Sequence, residues 1–144
     1  MKKSMYEIFK RVSEVKKPAD RVTSLRLSCN PAMQAFLKYT FDPNIEFLLP
    51  EGEPPYKPAK FDDLEGRLFT EVRRMYLFIK NGNPNLSQNR REMMYIQLLE
   101  SVDRDDAKLL LAMKEKKTPF KTITCKLVNE AFPGLLTQKE LEKA

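Results

Sequence analysis

Apolar residues recur at intervals of three and four along most of this 144-residue chain. That spacing is the repeat of a helix with one buried face. In the segment SMYEIFKRVSEV, for example, Met5, Phe9 and Val12 fall on one side. No strand pattern and no internal repeat interrupts the series. The periodicity therefore predicts an all-α fold, a single compact bundle of about seven helices over residues 1–144 with a frayed tail at about 138–144.

The helix boundaries are marked by residues that cap helix ends. Side-chain oxygens of Ser, Thr, Asn and Asp accept from the unpaired N–H groups of a helix's first turn, and glycine or proline follows a helix end. The predicted helical segments are 4–17, about 20–28, 30–41, about 61–80, 86–102, 103–117 and 122–132. The predicted N-caps are Ser4, Asp20, Asn30, Asp103, and Thr122 or a neighbour. A further capping pair, Thr137 with Glu140, predicts a short terminal turn.

A proline-rich stretch divides the bundle at about residues 42–60. Its prolines exclude helix across most of its length; they are Pro43, Pro50, Pro54, Pro55 and Pro58. The apolar run IEFLL within it is unlike a free linker, so we expect an ordered loop packed on the helices. A ligand for an SH3-like groove is the alternative for the segment EPPYKP.

Charge favours a polyanionic partner without identifying it. The chain has 26 Lys and Arg against 20 Asp and Glu, a net charge of +6, and a basic domain attracts nucleic acid and other polyanions. The N-terminus lacks the apolar core of a signal peptide, and no run approaches the length of a membrane span. We therefore expect a cytoplasmic protein without a membrane partner.

Several kinds of chemistry lack the residues that they need. The chain has no histidine and two cysteines, Cys29 and Cys125, which cannot fill a structural zinc site and which we expect to be reduced thiols. The four glycines do not form a phosphate-binding loop. The acidic clusters lie at predicted helix starts, where the helix dipole favours them. We predict no enzyme activity, no catalytic residue, no metal and no cofactor.

Two sets of basic and hydroxyl residues are the candidates for nucleic-acid binding. The first surrounds the turn between the last two long helical segments, where lysines and a helix start can meet a phosphate backbone. It comprises Lys114, Lys116, Lys117, Lys121, Thr122, Thr124 and Lys126. The second, near the N-terminus, comprises Lys10, Arg11, Lys16, Lys17 and Arg21, with Arg26 beyond them. The alternative is that both sets are solvated surface charge and partners of helix C-termini.

The C-terminal third adds a family resemblance. The run LLESVDRDDAKLLLAMKEKKTPFKTITCKLVNEAFPGLL resembles the amino-terminal DNA-binding domain of phage-type ATP-dependent DNA ligases. In that family an aspartate-rich helix start leads into a basic turn, and a short helix then ends in aromatic-Pro-Gly-Leu. The matching positions here are Leu127, Asn129, Phe132, Pro133, Gly134 and Leu135. The resemblance extends over about residues 5–137 in the order of the helices and loops. The chain is also similar to small proteins of large tailed phages.

The resemblance implies a ligase-like DNA-gripping domain without a catalytic half. The ligase turn often has a small Cys-Gly sequence where this chain has residues 117–121, and no Lys-x-Asp-Gly motif for nucleotidyl transfer is present. The implied partner is duplex DNA, intact or nicked, in phage replication, repair or recombination within a host cytoplasm. The alternative is a protein-interaction adaptor that has lost DNA binding and holds a phage replication or transcription protein or a host factor.

Overall fold

The computed structural model describes residues 4–42, 44–50, 52, 54–57, 67–80, 82 and 85–135, and within them it confirms the all-α prediction. Seven α-helices and one 3-10 helix are present in this part of the chain. They are α1 (Met5–Ser13), α2 (Pro18–Ser28), α3 (Pro31–Phe41), α4 (Arg67–Glu71), the 3-10 helix (Val72–Phe78), α5 (Gln88–Ser101), α6 (Arg104–Lys114) and α7 (Cys125–Ala131). The first six residues of the predicted segment 61–80, the Thr137–Glu140 pair and the tail at 138–144 lie outside the described residues.

Most of the predicted helix caps are present. Ser4 Oγ accepts from the backbone N–H of Glu7 at 3.2 Å, and Asn30 Oδ1 accepts from that of Met33 at 2.9 Å. Asp103 caps α6, and the last helix begins after Thr124. These caps are local in sequence, which is why the residue pattern predicted them.

The predicted cap at Asp20 is wrong. Lys17 occupies the N-cap position of α2 without a side-chain hydrogen bond, and Pro18 begins the helix. Proline is well suited to the first helical position because its fixed φ matches the helix and its missing N–H costs nothing there. Asp20 instead lies in the first turn, where its charge complements the helix dipole.

The predicted helix at 61–80 is not an unbroken α-helix. Within its described residues, α4 ends at Glu71 and the chain continues as a 3-10 helix to Phe78. A 3-10 helix has three residues per turn, so residues three apart lie on one side. Val72, Met75 and Phe78 follow that spacing and all three are buried. The tighter winding thus keeps one row of side chains in the core.

The helices pack around one apolar core. α1 lies against α2 and α6, α2 lies against α7, and α3 contacts α6 and the 3-10 helix. Most of the predicted inner positions are buried, including Phe9, Phe36 and Val128. Leu27, an apolar residue of α2, is instead 81% exposed. Its neighbour Leu25 already occupies the inner face of α2, and the two side chains point to different sides of the helix.

The described part of the proline-rich segment is non-helical and packed, as predicted. Phe47 forms an isolated antiparallel bridge with Ile79. Two hydrogen bonds of 2.8 Å flank it, from Leu48 N–H to Phe78 O and from Lys80 N–H to Glu46 O. The loop is thereby fixed to the end of the 3-10 helix. No helix in the described part of the chain is long and apolar enough to cross a membrane.

Candidate nucleic-acid interface

The lysine-rich turn begins with a tight helix stop at the end of α6. Lys117 N–H donates to Ala112 O at 3.1 Å, and Lys116 N–H donates to Met113 O at 2.9 Å. These two bonds form a Schellman motif, in which the residue after the cap has a left-handed backbone. Lys116 occupies that position with φ of 61°. Glycine is usual at this position, so a lysine here does not mark a helix end in the residue pattern.

Lys116 holds the turn against the end of α3. Its Nζ donates to three backbone carbonyl oxygens, those of Tyr39 at 2.9 Å, Asp42 at 2.8 Å and Ile45 at 3.0 Å. The ammonium also lies 5.6 Å from the centre of the Phe47 ring. Burial lowers the pKa of Lys116 to about 8. All three protons of this ammonium are engaged within the protein, so Lys116 is a structural clamp in this arrangement.

Lys114 has a similar internal role. Its side chain is only 4% exposed, and its Nζ donates to Pro50 O at 3.1 Å and to Glu115 Oε1 at 2.6 Å. Glu115 Oε1 in turn accepts from the backbone N–H of Gly52 at 3.3 Å. The pKa of Glu115 is lowered from its ordinary value, and the largest cause is the hydrogen bond from Lys114. This pair therefore joins the end of α6 to the proline-rich loop.

The remainder of the turn runs along α1. The ring of Phe120 lies 5.0 Å from that of Tyr6 between centroids. Two residues later, Thr122 Oγ1 donates to Ser13 O at 2.8 Å. Lys121 lies between these two contacts and is exposed. The turn is thus fixed to both ends of α1, and Lys121 is brought beside the helix that carries the N-terminal basic residues.

The N-terminal set divides in the same way into internal and exposed groups. Arg21 donates to Val15 O at 2.8 Å and 3.1 Å and to Lys16 O at 3.3 Å, which closes the connection between α1 and α2. Arg26 donates to Ala131 O at 3.0 Å at the end of α7. Both arginines therefore serve mainly to hold neighbouring elements together.

Seven exposed cations remain in these two sets, and we call them together the basic face. Its members have exposed side chains and no ion pair or side-chain hydrogen bond to another described residue. They are Lys10, Arg11, Lys16, Lys17, Lys117, Lys121 and Lys126. Thr124 is exposed at the start of α7, although its hydroxyl oxygen caps Leu127 N–H at 3.2 Å. Glu7 in α1, Glu14 at its C-cap and Asp20 in α2 are exposed near these cations in the sequence, so this part of the surface is basic without being uniformly positive.

A buried carboxyl group anchors the other end of α1. Asp106 is fully buried, and its Oδ1 accepts from the backbone N–H of Tyr6 at 2.8 Å. No described group hydrogen-bonds to its Oδ2. Burial, followed by the nearby charges of Asp103, Asp105 and Glu7, raises the pKa of Asp106 to about 7, although the Tyr6 hydrogen bond acts in the opposite direction. The sequence indicated only a helix-start aspartate here.

The structure offers little that could hold a metal. Both cysteines are free thiols and half-buried, and burial raises the pKa of Cys29 to about 12. Within the described ranges, no group of three or more His, Cys, Asp or Glu side chains is placed to bind a metal ion. The cations of the basic face are the principal chemical feature of the surface.

The comparisons with known proteins place the chain in a family without assigning it a role. No curated protein matches the chain, and no solved structure matches it, so the ligase resemblance stays a prediction. One family model, described as a family of unknown function (DUF6433), matches residues 8–119. That range runs from α1 to the turn after α6 and covers more than half of the 144 residues. The chain therefore belongs to the DUF6433 family.

Proposed function

We propose that this protein is a non-catalytic duplex-DNA-binding protein that holds the phosphate backbone during phage DNA replication, repair or recombination in the host cytoplasm. The observation that carries the proposal is the hydrogen bond of 2.8 Å from Thr122 Oγ1 to Ser13 O. It joins the turn that carries Lys117 and Lys121 to the helix that carries Lys10 and Arg11. Segments that carry cations far apart in sequence are thereby neighbours, which supports a common surface for phosphate contacts.

The chemistry of this surface suits backbone contact better than base reading. Lysine ammonium groups are compact point charges that neutralise phosphates without distinguishing bases. Lys114, Lys116 and Arg21 do not contribute, because their charged groups already hydrogen-bond within the protein. The proposal therefore retains Lys117, Lys121, Thr124 and Lys126 with the exposed N-terminal cations. Binding should be largely independent of sequence and strongly dependent on salt.

Replacing Lys117 and Lys121 together by glutamine should weaken binding to plain duplex about equally for all sequences. Each lost phosphate contact removes about 0.9 from the slope of log affinity against log salt, so the double variant should lower that slope by roughly two. Fluorescence anisotropy with labelled duplexes of unrelated sequence, measured over a salt series, checks both expectations.

A matched control removes the same charge elsewhere. Arg73 and Arg90 are exposed on the 3-10 helix and on α5, and their joint replacement by glutamine should have a much smaller effect. Equal losses of duplex affinity in the two double variants would show that only the net charge of the protein matters. Absence of binding by the unaltered protein at low salt would overturn the proposal and favour the adaptor alternative. A preference for nicked over intact duplex would indicate that the protein recognises nicks as DNA ligases do.

Thr122→Val should test the connection between the two basic sets without altering any charge. The substitution removes the hydroxyl that donates to Ser13 O and keeps the side-chain shape. We expect a loss of about 1 kcal/mol in the free energy of unfolding and a several-fold loss in DNA affinity. Urea denaturation and anisotropy measure the two quantities. Full DNA affinity in a destabilised variant would show that the contact between the sets is unimportant for binding.

A further inference from the structure

A groove beside the basic face differs from it in chemistry. One wall is the C-terminal half of α6, which contributes Lys108, Leu111 and Ala112, and the other is the turn with Lys117, Pro119 and Lys121. Its volume is about 490 Å³. We call it the lysine-rimmed groove; its rim is the exposed lysines Lys108, Lys117 and Lys121, and its floor is the apolar lining of Leu111, Ala112 and Pro119.

The walls of the groove are fixed before any ligand binds. Thr118 Oγ1 lies 3.0 Å from both Phe120 O and Ile123 O, and its single hydroxyl proton is shared between these two acceptors, which closes the turn on itself. Lys117 N–H is held by Ala112 O in the helix stop. A site whose walls are already ordered loses less conformational entropy on binding than a flexible one.

Most of the lysine charges at the rim are free to pair with a ligand. Lys117 and Lys121 are exposed. Lys108 is also exposed, although its Nζ pairs with Asp105 at 3.2 Å and lies 5.9 Å from the centre of the Tyr6 ring. Lys114 lies deeper, where Glu115 and Pro50 O already satisfy its ammonium. Glu115 also lines the groove and is exposed, and its Oε1 accepts from Lys114 Nζ and the Gly52 N–H. A ligand would therefore meet two free cations, one partly compensated cation and one carboxylate that is compensated from within the protein.

The floor indicates which anionic ligand fits best. Leu111 and Ala112 are half-buried and Pro119 is exposed. Phosphate groups at the rim would leave this apolar surface in contact with water. A peptide that combines carboxylates with apolar side chains would neutralise the rim and cover the floor together. The stretch from Lys108 in α6 to the C-cap residue Glu115 is about 10 Å long, which matches about three residues of extended chain.

We propose that the lysine-rimmed groove binds a short, extended, acidic and apolar peptide segment of a partner protein. This inference goes beyond the proposed DNA binding. The two sites share Lys117 and Lys121, so such a peptide and duplex DNA compete for the protein. Lys108, Leu111 and Ala112 belong to the groove alone, whereas Lys10, Arg11 and Lys126 belong to the basic face alone.

The test uses an array of defined synthetic peptides. One group alternates Asp or Glu with Leu, Ile or Phe at several spacings, and a matched group of equal charge has Ser in place of the apolar residues. We expect the best acidic and apolar peptides to bind at least about tenfold more tightly than their Ser counterparts, which corresponds to about 1.4 kcal/mol. Equal affinity of the two groups, or no binding by either, would overturn the proposal.

Substitutions at Ala112 then locate the binding. Ala112→Glu places a carboxylate on the floor, whereas Ala112→Gln adds similar bulk without charge, and both residues favour helix. We expect Ala112→Glu to weaken peptide binding about tenfold more than Ala112→Gln does. Lys108→Gln should weaken it several-fold, and Lys126→Gln should leave it unchanged. Circular dichroism confirms that each variant is folded.

Duplex DNA supplies the remaining arm of the experiment. An unlabelled duplex should displace the bound peptide, while Ala112→Gln should leave duplex affinity unchanged. If both Ala112 variants instead weaken duplex binding and leave peptide binding unaffected, the groove is part of the DNA surface and the peptide proposal is wrong. Failure of the protein to bind duplex at all leaves the peptide comparison intact, so the two proposals fail separately.

Discussion

Replacing Lys116 by methionine should lower the free energy of unfolding by about 3 kcal/mol, because three hydrogen bonds from a charged donor, each worth about 1.5–3 kcal/mol net of water, outweigh the desolvation that lowers the pKa of this ammonium to about 8. The ammonium donates to the carbonyl oxygens of Tyr39, Asp42 and Ile45. Methionine has similar length and no donor, so these oxygens lose their common partner. Urea denaturation followed by circular dichroism measures the change.

Two further variants separate the causes of this loss. Lys117→Met changes the next residue, which is exposed, and should alter stability by no more than about 0.5 kcal/mol. Lys116→Gly removes the ammonium but also relieves the left-handed backbone at φ of 61°, and this relief is worth about 1 kcal/mol. Lys116→Gly should therefore be less destabilising than Lys116→Met. Equal stability of Lys116→Met and the unaltered protein would show that the clamp contributes nothing.

The clamp also shows why part of the candidate site could not be predicted. The acceptors of the Lys116 ammonium are 71, 74 and 77 residues away in sequence. Nothing in the segment MKEKKTPFK distinguishes this lysine from Lys117, which is exposed. A local pattern can locate a cluster of lysines at a turn. The tertiary fold decides which of their charges are directed inward.

The helices were easier to predict than the site, because capping residues and apolar spacing act over only a few residues of sequence. Ser4 and Asn30 cap N–H groups that follow them by three residues. The residue types at the helix boundary were therefore sufficient to predict these caps. Helical spacing also predicted the buried faces of α1 and α7. It failed in Val72–Phe78, where the winding is 3-10. A repeat of three and a repeat of 3.6 cannot be distinguished over two turns.

Stability should fall as the pH rises from 5 to 8, and Asp106→Asn should abolish most of that fall. The pKa of the Asp106 carboxyl is raised from 3.8 to about 7 in the folded protein, chiefly by burial. A folded pKa above the unfolded value gives a contribution that is complete below about pH 4 and is lost as the pH passes 7. Each pKa unit corresponds to about 1.4 kcal/mol, so the loss between pH 5 and 8 is on the order of 3 kcal/mol.

The absence of histidine simplifies this measurement, since Lys116, whose pKa burial lowers to about 8, begins to titrate only at the upper end of the range. The chain has no imidazole, the group whose ordinary pKa lies between 5 and 8. Asparagine at position 106 retains an oxygen for the Tyr6 N–H and cannot ionise, so the variant should have a nearly flat profile and exceed the unaltered protein in stability at pH 8.

The neighbouring aspartate provides the control for this experiment. Asp105 is half-buried and pairs with Lys108 at 3.2 Å. Asp105→Asn removes an adjacent charge of the same kind and should retain most of the pH dependence. The measurement is the free energy of unfolding in urea at intervals from pH 5 to 8. Parallel profiles for Asp106→Asn and the unaltered protein would show that Asp106 does not titrate in this range. A flat profile only in Asp106→Asn would assign the loss to the carboxyl that joins α6 to the start of α1.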